Sequence, residues 1–201
     1  MHFLSPDSRL MRGLSNLTDA ILINVLLIIT SIPVITAGAS LTAAHVAARK
    51  AIVGEGHLFS NYVQAWKRNL LQSLPLWLVY GVTGGLLVYA WLFLQITPLL
   101  VPKFGFSIIW LFGFEWVFAL QARFENSVGR TLVNALVFSV TNIGYTLAMI
   151  AMDAVYVGLL VACWILMPQG LFLLVVLGYG TLIMLHIPLL ERALRKYINE
   201  A

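Results

Sequence analysis

Glu115 and Asp153 stand inside long apolar runs, GFSIIWLFGFEWVFALQ and IGYTLAMIAMDAVYVGLLVACW. An ionisable side chain at membrane depth is costly and belongs against protein or water rather than lipid. Two such carboxyls at similar depth can share a proton, bind a cation or hydrogen-bond a sugar hydroxyl. The alternative is structural: each acid is held neutral by its dry surroundings and satisfied by a nearby hydroxyl such as that of Tyr80, Thr83, Tyr145 or Tyr156. Trp110 and Trp116 sit beside Glu115 in the same run, and their ring faces are the ones placed to stack on a ligand.

Other chemistry has less support. His2, His45, His57 and His186 include no pair at the i, i+4 spacing of a helical metal site, so no metal is expected, and His45 and His186 are assigned to hydrogen bonds at helix ends. The single Cys163 excludes an internal disulfide and any multi-cysteine metal site. There is no Gly-x-Ser-x-Gly, no His-Glu-x-x-His and no phosphate-binding glycine loop. The expectation is a protein without catalysis and without a cofactor.

The elements that must position these residues are set by composition. Of 201 residues, 61% are hydrophobic and 10% charged, against about 25% charged in soluble domains, and mean hydropathy is +0.93. Runs matching the ~20 residues that cross a hydrocarbon core fall at 20–46, 76–97, 104–120, 143–166 and 171–190. This predicts an all-α polytopic membrane protein of five transmembrane helices, in one domain over 1–201. Five crossings put Arg49, Lys50, Lys67, Arg68, Arg123, Arg130, Arg192, Arg195 and Lys196 on one side and Arg9, Arg12 and Lys103 on the other. The basic side faces the cytoplasm, so the C-terminus is expected inside and the N-terminus outside. These charges are scattered over several connections rather than drawn into one stripe, which argues against nucleic-acid binding.

The run 20–46 is 27 residues, about 40 Å of helix, too long for a straight crossing. Pro33 removes a backbone donor and is the expected kink, with Thr30 and Ser31 placed to satisfy the freed backbone groups. Arg9 and Arg12, the apolar run and Ala37-Gly38-Ala39 imitate a secretory signal with its cleavage site. The helical pattern continues through Ala48, and the segment is read as retained. Gly38 with Thr42, Ala39 with Ala43, and Gly81 with Gly85 are each four apart, spacing that lets helix backbones approach closely.

Two amphipathic cytoplasmic elbow helices are expected between spans. The first follows Ser60 as its cap and carries Val63, Trp66, Leu70 and Leu74 at helical spacing, with Phe59, Trp66, Lys67, Arg68 and Asn69 as its interfacial surface. The second follows Ser127. A shift of 70 residues superposes Glu55 on Glu125, Val63 on Val133 and Ala65 on Ala135, which suggests hairpin repeats at 20–97 and 104–166 plus a fifth span at 171–190.

Asp19 and Asn24 opening the first span, Pro33, Thr36, Gly38 and Ala39 within IPVITAGASLTA, and then Phe59 and Lys67 to Asn69 within FSNYVQAWKRNLLQS make the chain resemble the YesL family of bacterial membrane proteins. The resemblance implies a small multi-span protein of the bacterial inner membrane, encoded beside carbohydrate-uptake genes. It supplies no reaction and no catalytic residues. The function expected is that of a non-catalytic accessory or interaction protein linked to ABC-type carbohydrate import or sensing. Its partners would be the lipid bilayer, a sugar permease or sensor kinase subunit, and a second copy of itself. The competing expectation is a small secondary transporter or channel working through Glu115 and Asp153.

Overall fold

The computed structural model describes residues 9–198, and among the described residues every regular element is helical; His2 lies outside them. The order is α1 (Arg9–Ser31), α2 (Ala37–Ile52), α3 (Leu58–Phe93), α4 (Leu100–Arg123), α5 (Val128–Thr141), α6 (Ile143–Leu166) and α7 (Gly170–Ile198), with 3-10 turns at Val34–Thr36 and Thr97–Leu99. Among the described residues, five helical segments are long and apolar enough to cross a membrane: Leu10–Ser31, Leu58–Phe93, Thr97–Arg123, Ile143–Leu166 and Gly170–Tyr197.

The run 20–46 does not form one kinked helix. Proline bars the preceding residue from helical backbone angles, so α1 stops at Ser31, Pro33 takes an extended conformation (φ −74°, ψ 101°), and a new helix starts at Ala37. Thr36, rather than Thr30 or Ser31, closes the joint: its hydroxyl donates to the carbonyls of Thr30 (2.6 Å) and Pro33 (2.8 Å). Thr30 instead donates to Leu26 (2.8 Å) and meets the Tyr62 hydroxyl at 2.7 Å.

α2 is the centre of the fold and touches α1, α3, α4 and α7. It is built from small residues, with Ala39, Ala43, Ala44, Ala47 and Ala48 all buried, which is what allows four helices to converge on it. Gly38 makes the tightest approach: a Cβ there would lie 2.6 Å from Trp77 Cβ and 2.8 Å from the Ser73 carbonyl. One turn on, Thr42 donates to the Gly38 carbonyl (2.9 Å) and pairs with Ser73 Oγ (3.0 Å).

The first elbow is not a separate helix. α3 runs 36 residues without interruption, about 54 Å, through Pro75 and from the amphipathic segment into the span. Ser60 is not its cap; α3 begins at Leu58 after His57, whose backbone is left-handed (φ 63°). The second amphipathic segment is a separate helix, α5, 14 residues long. Ser127 occupies its N-cap position through the backbone carbonyl, which accepts from the Thr131 amide at 2.9 Å. The side chain makes no capping bond. The shift of 70 seen in the sequence also superposes Leu58 on Val128, the first residues of α3 and α5, so α5 and α6 together follow the course that α3 takes as one helix.

The contacts fix the direction of each helix. α3 is antiparallel to α2 (Gly38 on Trp77, Lys50 on Asn61) and to α4 (Trp110 on Tyr80, Trp91 on Ser107). α4 is parallel to α7, with Glu115 on His186 and Arg123 on Glu191. α1 is antiparallel to α7, with Ala20 at Gly180 and Asn24 at Val175 and Val176. The returning α2 therefore brings the start of α1 and the end of α7 to the same end of the bundle. Arg12 joins Arg49, Lys50, Lys67, Arg68, Arg123, Arg130, Arg192, Arg195 and Lys196 at that end, and among the described side chains Lys103 alone stands at the other.

Candidate functional site

Glu115 from α4, Asp153 from α6 and His186 from α7 meet inside the bundle. One ligand atom from each lies within 4.8 Å of the other two. His186 Nε2 is 3.4 Å from Asp153 Oδ1, and His186 Nδ1 is 3.8 Å from Glu115 Oε2. The Glu115 and His186 side chains are only 3% and 1% exposed, whereas Asp153 is 23% exposed. Glu115 Oε2, Asp153 Oδ1 and His186 Nε2 are buried without a hydrogen-bond partner.

The hydroxyls expected to satisfy the two carboxyls do not reach them. Thr83 donates to its own helix at Val79 (2.6 Å), Tyr156 donates to the Leu174 carbonyl (2.9 Å), and the Tyr80 hydroxyl fills the space above Gly113. Tyr145 packs against the core. The group that joins the two acids is His186, which is buried in mid-helix among apolar neighbours rather than spent on a helix end. Spacing along a single helix could not find it, because the three groups come from three helices. The signal available was a lone imidazole in the apolar run TLIMLHIPLL.

Behind this cluster α7 is broken. Gly178 has non-helical angles (φ 50°, ψ −165°), which glycine adopts without a Cβ penalty. Asn24 from α1 closes the gap: Nδ2 donates to the carbonyls of Val175 (2.8 Å) and Val176 (3.0 Å), and Oδ1 accepts from the Gly180 amide (3.3 Å). Irregular backbone at membrane depth is tolerated where protein groups re-satisfy it, and one buried amide does so here. Tyr179, on the break, lies within electrostatic range of both Asp153 and Glu115. The break at Gly-Tyr-Gly was not foreseen, and Asn24 had been noted only as a feature of the first span.

The two tryptophans part company. Trp116 is fully buried and donates to Thr146 Oγ1 at 2.9 Å. Trp110 faces α3, where it donates to the Tyr80 carbonyl (2.9 Å), stacks on Phe114 (4.9 Å between ring centres) and covers Gly84. Gly84 is thus the closely packed glycine of α3. Gly81 meets only Trp77 of its own helix, and Gly85 has nothing within 4 Å of a Cβ, so this pair lines an open apolar cleft instead of a helix contact. His45 is buried in α2 with Nδ1 unpartnered, and His57 is exposed at the N-cap of α3.

At the basic end a polar cleft of about 740 Å³ opens between α2, α3 and α4. Arg49, Lys50, Arg68 and Arg123 supply positive charge, and Asn61, Gln64, Asn69, Gln72, Gln121 and Asn126 supply amides. Arg68 pairs with Glu125 across its rim. Of the expected elbow surface, Arg68 and Asn69 line this cleft. Phe59 and Lys67 are exposed outside its lining, and Trp66 is half-buried against the core with its indole N–H unpartnered.

Residues 20–91 match the family described as protein of unknown function, DUF624, which is the family of the YesL proteins, and the match agrees with the resemblance seen in the sequence. The match spans the latter part of α1, all of α2 and nearly all of α3. No curated protein and no solved structure matches the chain.

Proposed function

We propose that this protein is a non-catalytic accessory protein of the bacterial inner membrane that serves carbohydrate import or sensing through its basic cleft. The observation that carries this reading is the lining of that cleft. Guanidinium, ammonium and six amide side chains converge at one end of an otherwise apolar bundle, and such groups recognise hydroxyl-rich or anionic surfaces by hydrogen bonding. With the basic end in the cytoplasm, as the charge bias of membrane loops favours, both termini are cytoplasmic and the cleft faces the permease or kinase domains of an importer or sensor. The first half of α3 and the α5 helix lie at the membrane boundary on that side, exposing Phe59 and Lys67.

Co-purification from the native host tests the reading. Wild-type protein in mild detergent is expected to bring down a sugar permease or sensor subunit, and Arg68→Glu combined with Asn69→Ala is expected to lose it. Recovery of the protein alone, in both forms, overturns the proposal.

The meeting of Glu115, Asp153 and His186 favours a second reading, a cation-coupled transporter. Flux measured in liposomes for Glu115→Gln against wild type decides it, with equal flux counting against transport.

A further inference from the structure

We propose that Glu115, Asp153 and His186 form a binding site for one divalent transition-metal ion of the zinc class. The site is separate from the basic cleft, and the inference stands whether or not an ion crosses the membrane.

His186 is almost fully buried, and its Nε2 has no hydrogen-bond partner. A neutral imidazole with an unpartnered ring nitrogen can offer that nitrogen to a metal. The free Nε2 faces Asp153 Oδ1, itself unpartnered, across 3.4 Å. Two buried, unpartnered polar atoms at that separation leave a place for a shared cation.

The dimensions fit a small metal ion. Zinc bonds to nitrogen and carboxylate oxygen of about 2.0–2.2 Å put tetrahedral neighbours about 3.3–3.6 Å apart, which brackets the observed 3.4 Å. Glu115 Oε2, also buried and unpartnered, supplies a third donor within reach. Three protein donors with a fourth position left to water is a recurrent zinc arrangement.

Charge and donor type narrow the ion. Two carboxylates, one neutral imidazole and a divalent cation sum to zero, the cheapest state at membrane depth. An imidazole donor disfavours calcium and magnesium, which take oxygen ligands in larger number. The absence of sulfur from the donor set disfavours copper(I); Cys163 stands at Gly170, remote from the cluster. Access is from the Asp153 side, the exposed member. The break at Gly178, with Asn24 holding it, sets the second half of α7 at its own angle and so places His186, as broken helices do at ion sites in transporters.

Cobalt(II) is the probe. Protein purified without affinity histidines and stripped by chelator is titrated with cobalt chloride in detergent. The expected result is one equivalent bound, with the intense visible absorption of a tetrahedral site, displaced by zinc chloride. His186→Gln and Asp153→Asn are expected to weaken binding at least about tenfold, whereas His57→Gln, on the exposed loop, leaves it unchanged. Asp153→Glu, which keeps a carboxylate donor, retains a measurable part. Wild-type binding no tighter than that of His186→Gln, or equal loss in His57→Gln, overturns the proposal. Should the core variants fail to fold, X-ray absorption on zinc-loaded wild type still decides: nitrogen and oxygen donors at about 2.0–2.2 Å are expected, and either a sulfur donor or octahedral oxygen coordination refutes it.

Discussion

Asn24 on α1 and Gly178 on α7 form a single joint: the glycine opens the helix, and the asparagine amide takes up two of the freed carbonyls and one amide. A Cβ at Gly178 would overlap Asn24 Oδ1, so the two positions are coupled sterically as well as by hydrogen bonds. Asn24→Leu leaves buried backbone groups unpaired, each at a cost of about 1–3 kcal/mol. It is expected to lower the thermal midpoint in detergent by several degrees, and Gly178→Ala to do the same. The double variant should lose less than the sum of the two, because both act on one joint. Additive losses would mean that the joint is not shared.

Glycines on the neighbouring helices α2 and α3 should differ sharply in tolerance. Gly38→Ala drives a methyl into the Trp77 Cβ and the Ser73 backbone, and overpacking of this kind costs about 1–3 kcal/mol. Gly85→Ala meets nothing within 4 Å and should stay within about 0.5 kcal/mol of wild type. Thermal unfolding of the two variants side by side gives the comparison, and an equal effect would refute the packing assigned to α2.

The alternating helix directions predict a labelling pattern. In a Cys163→Ser background, Arg12→Cys and Gly56→Cys should react with a membrane-impermeant thiol reagent from the same side, and Val101→Cys from the opposite one. Labelling of Arg12→Cys together with Val101→Cys would restore the odd number of crossings expected from hydropathy alone.

Arg68 and Glu125 form a surface pair, with side chains 69% and 84% exposed. Such pairs contribute about 0–1 kcal/mol. Arg68→Glu should therefore leave the melting temperature nearly unchanged while weakening partner recovery at the basic cleft. A large drop in stability would assign Arg68 a structural role instead.

The chain by itself determined that the protein is helical and apolar enough for five crossings. Length and hydropathy of each run decide that locally, and the fourth span was found to the residue. It also marked Pro33 as the site of a discontinuity, because a missing amide acts on its own helix wherever the chain is placed. Glu115 and Asp153 stood out for the same kind of reason, as charges in apolar surroundings. What only the tertiary structure decided are relations between helices. A 16-residue α2 made of small residues is too short to read as a crossing, yet it runs back through the centre of the bundle as a helix of its own. His186 looked like a helix-end residue until α4 and α6 brought two carboxyls to it. Asn24 had no visible partner because the backbone it satisfies lies more than 150 positions away. Periodicity reports which face of a helix is apolar, but only packing reports which polar groups meet.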